Sequence, residues 1–173
     1  MNALYRPGPM SNIPEFILRK HGQKKINYMH PALEPILSET YGIIVYQEQV
    51  MQIGSIIAGF TLAQADQMRR AMGKKKAGLM AAFRNDFIKG AVQNDMKESA
   101  AREIFELLEK FAQYGFNKSH STAYAIIAYQ TAWLKTFYTA EFIAANLTTE
   151  VDVLDRVVIL IEEASQWGGT GSP

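Results

Sequence analysis

The sequence of 173 residues contains no cysteine. Disulfide bonds and zinc sites built on thiolates are therefore excluded, and the chain fits a reducing compartment. No basic N-terminal segment leads into an apolar stretch, and no run approaches the roughly eighteen apolar residues that a membrane span requires. We therefore expect a soluble, cytoplasmic protein without a membrane partner.

The sequence also lacks the motifs of several enzyme classes. It contains no Walker A loop, no GxSxG and no HExxH, and its histidines show no metal-ligand spacing. Metal-assisted phosphoryl transfer requires closely spaced carboxylates on a strand, and no such group is present. We therefore expect no catalytic residue, no metal site and no cofactor within the chain, which predicts a binding module without catalytic machinery of its own.

Composition, helical periodicity and the placement of proline and glycine predict an all-α fold. Apolar residues make up 48% of the chain and charged residues 20%, as in a globular protein. Prolines and glycines crowd residues 1–42, which predicts a loop-rich region with a short helix at 14–22. Residues 43–167 follow helical periodicity, so we expect 1–167 to form one irregular multi-helix domain. Residues 168–173 have the composition of a linker or an appended tail.

Start and stop signals divide the helical part into segments. Glycine ends helices readily, and a Ser or Thr followed three residues later by Gln forms a capping box at a helix start. The predicted boundaries are a stop at Gly59, a capping box at Thr61 and Gln64, a stop at Gly73, a helix over about 75–92, a stop at Gly115, and caps at Thr139 and Asp152.

One segment carries no charge. Residues 119–134 contain no Asp, Glu, Lys or Arg, yet they include several hydroxyl and amide side chains. The segment is too polar and too short for a bilayer and too long for a strand. It predicts a buried central helix near 118–137.

The near-neutral net charge of +1 hides an uneven distribution. Residues 1–90 hold 12 basic and 6 acidic side chains, a net charge of +6, whereas residues 91–173 hold 6 and 11, a net charge of −5. The stretch RRAMGKKK, residues 69–76, concentrates five positive charges in eight residues. An asymmetry of this kind indicates that one part of the surface faces an anion.

Two interpretations of RRAMGKKK remain open. Arg69 and Arg70 fall in the last turn of a helix, where cations are favourable, whereas Lys74, Lys75 and Lys76 open the next helix, where cations are unfavourable unless an anion is present. The stretch is either a solvated basic turn or an anion site. Gly73, which permits a close approach of the backbone, favours the anion site.

A second constellation is YGFNKSHSTAY, residues 114–124. A lone histidine beside a buried helix is more often a core group than a ligand contact. Here, lysine, serine hydroxyls and free amides at a helix start form a candidate phosphate cradle, and an aromatic ring one turn later offers a stacking surface. The candidate residues are Asn117, Lys118, Ser119, His120 and Tyr124.

Four stretches in this order resemble one known family. They are NALYRPGPM, YGIIVYQEQVMQI, AGFTLAQADQMRRAMGKKK and FAQYGFNKSHSTAYAIIAYQTAWLKTFYTAEFIAANLT. Together they are similar to the fingers region of the C-family bacterial replicative DNA polymerases, the DNA polymerase III alpha subunits. The resemblance extends over about residues 2–167 and implies a part of a DNA-directed DNA polymerase of bacterial chromosome replication.

The resemblance implies roles for the two motifs. Arg69 and Arg70 would contact the triphosphate of the incoming dNTP, and Lys74 to Lys76 would add positive potential toward nucleotide or template. Asn117, Lys118, Ser119, His120 and Tyr124 would line the nucleotide pocket. The implied partners are the dNTP, primer-template DNA, the rest of the alpha subunit and other replisome subunits.

The resemblance also implies what lies elsewhere in such a polymerase. The three aspartates that bind two Mg²⁺ ions belong to a palm domain upstream of the matching residues. We therefore expect an excised fragment that is inactive alone. Two other hypotheses remain: a non-catalytic nucleic-acid-binding helical module that grips template phosphates, and a structural scaffold whose basic loop is solvated.

Overall fold

A computed structural model describes residues 2–6, 8–73, 77–112 and 114–168. Within these ranges the secondary structure is helical apart from one isolated parallel bridge between Tyr46 and Phe116, which confirms the predicted all-α class. The helices are α1 (Ile13–Lys20), α2 (Glu34–Leu37), α3 (Gln47–Ala58), α4 (Leu62–Gly73), α5 (Ala77–Gln93), α6 (Glu98–Ala112), α7 (Lys118–Phe137), α8 (Thr139–Thr149) and α9 (Leu154–Gly168).

Local sequence signals explain the end of α3 and the start of α4. Gly59 ends α3 in a left-handed conformation with φ of 68°. The capping box before α4 is formed in both directions: the Gln64 amide donates to Thr61 Oγ1 over 3.2 Å, and the Thr61 amide donates to Gln64 Oε1 over 2.9 Å. The expected caps at Thr139 and Asp152 are each wrong by one residue, because α8 begins at Thr139 and α9 at Leu154, and the residues that precede them are Tyr138 and Val153.

The main core lies where α3, α4, α5 and α6 pack together. Helical spacing on α6 places its apolar side chains on one face. Full burial of such a side chain stabilises the fold by about 1.5–3 kcal/mol. The largest side chains at the centre of the core are Val50, Ile53, Met68, Phe87, Ile104, Phe105 and Leu108.

The loop-rich N-terminal region joins a smaller apolar cluster. Ala3 and Leu4 are buried there with Ile43 and Val45, and the ring of Phe116 packs against them. Between these points the chain forms short helices and 3-10 turns, at Pro9–Asn12, Pro31–Leu33 and Ser38–Thr40. This cluster anchors the start of the chain beside the segment that precedes α3.

The chain divides into two compact units. The first ends at Ser121 and contains α1 to α6 with the first turn of α7; the second begins at Thr122 and contains the rest of α7 with α8 and α9. The expectation of a single domain over 1–167 stays a prediction. No helix in the described ranges has the length and apolar content needed to cross a bilayer.

The central helix has its predicted position but not its predicted burial. Among the described residues of α7 only Ser121 is buried, and Tyr129 is 71% exposed. A lack of charge indicates that a helix can be buried, but it does not specify a covering partner. In the second unit α8 packs against α9, and α7 is tied to α9 through the ion pair of Lys135 with Glu163. The prediction of a buried helix at 118–137 is therefore wrong.

Gly90 on α5 allows a close crossing with the end of α3. A Cβ at this position would lie 2.1 Å from the carbonyl oxygen of Ala58. We expect Gly90→Ala to lower the free energy of unfolding by about 2 kcal/mol, because backbone cannot move aside as a side chain can.

Gly78, on the same helix, is the matched control. Apart from the backbone of its own helix, the methyl group that alanine would add there meets nothing within 4 Å in the described part of the chain, so Gly78→Ala should be neutral or stabilising by less than about 1 kcal/mol. Urea unfolding of both variants tests the prediction. Equal stabilities of the two variants would contradict it.

Candidate functional site

The site is built around the first turn of α3. Gln49 is 4% exposed, and its side-chain oxygen accepts hydrogen bonds from the backbone amides of Val45 (2.8 Å) and Tyr46 (3.0 Å). Its side-chain nitrogen donates to the Ile36 carbonyl (3.2 Å) and to Thr40 Oγ1 (2.8 Å). The buried amide therefore fixes the extended backbone that leads into α3.

That extended backbone pairs with the segment before α7. The Phe116 amide donates to the Val45 carbonyl over 3.2 Å, and the Gln47 amide donates to the Phe116 carbonyl over 3.0 Å. Asn117 then caps α7, because its side-chain oxygen accepts from the His120 amide over 2.8 Å. The start of α7 is thus held beside the start of α3.

A carboxylate from α3 meets the start of α7. Both oxygens of Glu48 lie 3.1 Å from the Lys118 amide, and Oε1 also accepts from the Asn117 side chain over 3.1 Å. The expectation of free amides at this helix start is therefore wrong for Lys118 and His120, whose amides are bonded to Glu48 and Asn117. A carboxylate is favourable there because the N-terminus of a helix carries partial positive charge.

The side chain of Lys118 is paired as well. Its ammonium group donates to Glu39 and lies 5.8 Å from the centre of the Tyr46 ring. The hydrogen bond to Glu39 raises the pKa of Lys118 above its usual value, although partial desolvation opposes the change. Lys118 therefore stays charged at neutral pH.

The two arginines of the basic cluster share one carboxylate. Arg69 donates to Asp66 Oδ1 through Nε (3.0 Å) and Nη2 (2.7 Å), and Arg70 Nε lies 2.7 Å from Asp66 Oδ2. A third donor of Arg69, Nη1, binds Gln47 Oε1 over 3.1 Å. The guanidinium of Arg69 is therefore fixed, whereas the Arg70 side chain is 67% exposed.

These contacts bring both predicted motifs to one place. Arg69 binds the side chain of Gln47, and Asn117 and Lys118 bind Glu48, the next residue.

The other predicted residues of YGFNKSHSTAY lie on α7. Ser119 and His120 are exposed on the first turn of α7. Tyr124 is 54% exposed on the part of α7 that belongs to the second unit, and Lys74, Lys75 and Lys76 lie outside the described residues. The roles in ligand binding that are assigned to all of these residues from the sequence stay predictions.

Sequence reasoning missed the acidic and amide partners. The spacing of Asp66 to Arg69 and Arg70, three and four residues, is a helical pairing that the sequence could have indicated. Glu48 and Lys118 are 70 residues apart, and no local pattern signals that contact. Gln47 and Gln49 lie in the YQEQ stretch, which the family resemblance includes without assigning them a role.

Comparison with known proteins identifies the family. Residues 1–95 match the model of the bacterial DNA polymerase III alpha subunit finger domain. The chain is 54% identical over 168 residues to the DNA polymerase III subunit alpha of Borreliella burgdorferi, covering 97% of this chain and 15% of that protein. The corresponding protein of Escherichia coli K12 is 51% identical over 173 residues, covering 96% and 15%.

The chain therefore belongs to the bacterial DNA polymerase III alpha subunit finger domain family. It spans about 15% of the length of the curated relatives that it matches. Among the described residues, no group of three His, Asp or Glu side chains could hold a metal ion. The donor set of the described residues thus does not fit the Mg²⁺ ions that the resemblance implies for the whole polymerase.

Because Asp66 is paired with two arginines, its contribution to the stability of the fold depends on pH in the acid range. The hydrogen bond from Arg69 lowers the pKa of Asp66 below its usual value of 3.8, partial desolvation opposes this, and the charge of Arg70 adds to it. A carboxylate whose folded pKa is depressed stabilises the fold above its unfolded pKa and loses that contribution as the pH falls through the folded pKa.

We therefore expect Asp66→Asn to flatten the acid limb of the stability curve. Between about pH 5 and pH 2.5 the variant should lose less free energy of unfolding than the unsubstituted chain. Urea unfolding at a series of pH values measures this. Above about pH 6, where the Asp66 carboxyl is ionised in the folded and the unfolded chain, the two curves should run parallel, and identical slopes between about pH 5 and pH 2.5 would refute the assignment.

Proposed function

We propose that this chain is the part of a bacterial replicative DNA polymerase that binds the triphosphate of the incoming dNTP and helps to position the template. The observation that carries the proposal is the convergence of the two motifs on the first turn of α3. Family membership supports a polymerase context, and the cations of the site support a phosphate ligand. Arg69, Arg70 and Lys118 are the residues that would bind it.

The arrangement suits a phosphate because the cations are held before the ligand arrives. Arg69 is fixed by three hydrogen bonds, so little side-chain freedom remains to be lost on binding. Arg70 is bound to Asp66 through Nε, and its side chain is 67% exposed, so part of its guanidinium is accessible to a ligand. A guanidinium presents paired donors that match the oxygens of a phosphate.

The same cations would assist the chemistry. Pyrophosphate leaves with growing negative charge, and preplaced positive groups stabilise that charge in the transition state. The catalytic carboxylates and their Mg²⁺ ions would belong to another part of the polymerase, so this chain alone should not extend a primer. The remaining proposed partners are primer-template DNA, the rest of the alpha subunit and other replisome subunits, in the bacterial cytoplasm.

A different function would use the same cations to grip template phosphates without contacting the nucleotide. The net charge of +6 over residues 1–90 is compatible with that alternative. Binding to DNA through phosphates weakens with rising salt in proportion to the number of phosphates neutralised. The two functions therefore differ in which ligand, the triphosphate or the DNA, loses affinity when an arginine is replaced.

The test is Arg70→Ala, followed with both ligands. We expect the dissociation constant for a deoxynucleoside triphosphate to rise about tenfold, because a hydrogen bond to a charged group contributes about 1.5 kcal/mol or more. Arg102→Ala, which removes an exposed arginine paired with Glu98 on α6, is the charge-matched control and should change it less than twofold. The measurement is an amide-shift titration at low salt.

The alternative predicts a different pattern. A uniform loss of affinity for primer-template DNA in Arg70→Ala, with unchanged triphosphate binding, would reject the nucleotide role. In a polymerase that contains this segment, the proposal predicts a raised KM for dNTP or a lowered kcat with template affinity preserved.

A further inference from the structure

Arg6 lies against the same site from the N-terminal region. Its guanidinium carbon is 5.1 Å from the centre of the Phe116 ring, a cation–π arrangement. The imidazole of His120 contacts the same ring, with 5.3 Å between the centres. The planes of these two rings are inclined at 49°, and Arg6, Phe116 and His120 therefore form a continuous group of contacting side chains at the start of α7.

The group is anchored at Phe116 and at Arg6. The backbone of Phe116 is bonded to Val45 and Gln47, which fixes the ring beside α3. On the other side, Leu4 is 2% exposed, and its carbonyl accepts from the Arg6 amide over 2.8 Å. The Arg6 carbonyl also accepts from Met10 over 3.1 Å. The position of Arg6 thus follows from packing and backbone bonds.

Arg6 differs from the other cations of the site in one respect. Arg69 and Arg70 share Asp66, and Lys118 is bonded to Glu39. Among the described residues, no carboxylate forms an ion pair with Arg6, and its side chain is exposed. Stacking on an aromatic ring occupies the face of a guanidinium and leaves the N–H groups at its edge available to an anion.

We propose that Arg6 is a further phosphate-binding residue of this site, contributed by the segment that precedes α1. The proposal rests on the proposed function, because it assigns to Arg6 the same phosphate-bearing ligand that Arg69 and Arg70 bind. Phe116 is the positioning residue, because its ring holds the guanidinium of Arg6 at 5.1 Å beside the start of α7. The triphosphate of a nucleotide is the assigned source of the phosphate.

The test uses the 173-residue chain at low salt, with dATP and with a primer-template duplex as separate ligands. Arg6→Ala should weaken dATP binding about tenfold, the loss of one charge-assisted hydrogen bond. Arg6→Lys should weaken it less, because an ammonium keeps the charge but presents no planar fork. Arg102→Ala, which removes the same charge from α6, should change it less than twofold.

A direct readout separates contact from general charge. The Nε–H resonance of Arg6 should shift during the dATP titration, and Phe116→Leu, which keeps the charge of Arg6, should reduce both the shift and the affinity. Thermal unfolding of Arg6→Ala checks that the fold is retained. Loss of affinity for the duplex alone would support phosphate binding by Arg6 and assign the phosphates to the template.

The outcomes distinguish this inference from the proposed function. If Arg6→Ala behaves like Arg102→Ala with both ligands while Arg70→Ala loses dATP binding, the role of Arg6 is refuted and the proposed function stands. If the unsubstituted chain binds neither ligand at millimolar concentration, both are refuted.

Discussion

The buried amide of Gln49 is the interaction on which the candidate site depends. Its oxygen accepts from two successive backbone amides, and its nitrogen donates to two further groups. Leaving such buried partners unsatisfied costs about 1–3 kcal/mol for each group. This arrangement fixes the extended backbone at Val45 and Tyr46, and that backbone in turn accepts and positions Phe116. The start of α7 therefore takes its place from a side chain on α3.

Carboxylates then hold the cations of the site. Asp66 forms ion pairs with both Arg69 and Arg70 on α4. Glu48 accepts a hydrogen bond from the Lys118 backbone amide at the start of α7, and Glu39 binds the ammonium of Lys118. In an exposed setting ion pairs such as those of Asp66 and Glu39 contribute little to stability. Their importance lies in orientation, because a fixed guanidinium loses less freedom when a phosphate binds. The carboxylates thus hold the cations in fixed positions before a ligand binds, which is what preorganisation of a phosphate site requires.

The sequence predicts the parts of this arrangement that depend on local spacing. The glycine stop at Gly59 and the Thr61 capping box follow from neighbouring residues, and the helix over 118–137 has its predicted bounds. The exposure of α7 could not be predicted, because burial depends on what packs against a helix. The contact of Glu48 with Lys118 joins residues 70 positions apart, and it depends on the bridge between Tyr46 and Phe116.

The family resemblance and the local chemistry are complementary. The resemblance identifies which motifs matter, and residues 1–95 match the finger-domain model. It does not say that both motifs meet at Gln47 and Glu48, nor that the N-terminal segment brings Arg6 onto Phe116. Those contacts come from the packing of the first unit. They bring residues of the two motifs, RRAMGKKK and YGFNKSHSTAY, into one candidate phosphate site.

The most direct test of the central claim, that the two motifs form one phosphate site around the start of α3, is a crystal structure of the chain with a bound deoxynucleoside triphosphate. The account predicts phosphate density in contact with Arg70 and with a residue at the start of α7 in the same complex. An ordered triphosphate that contacts only one of the two motifs, or neither, would contradict it.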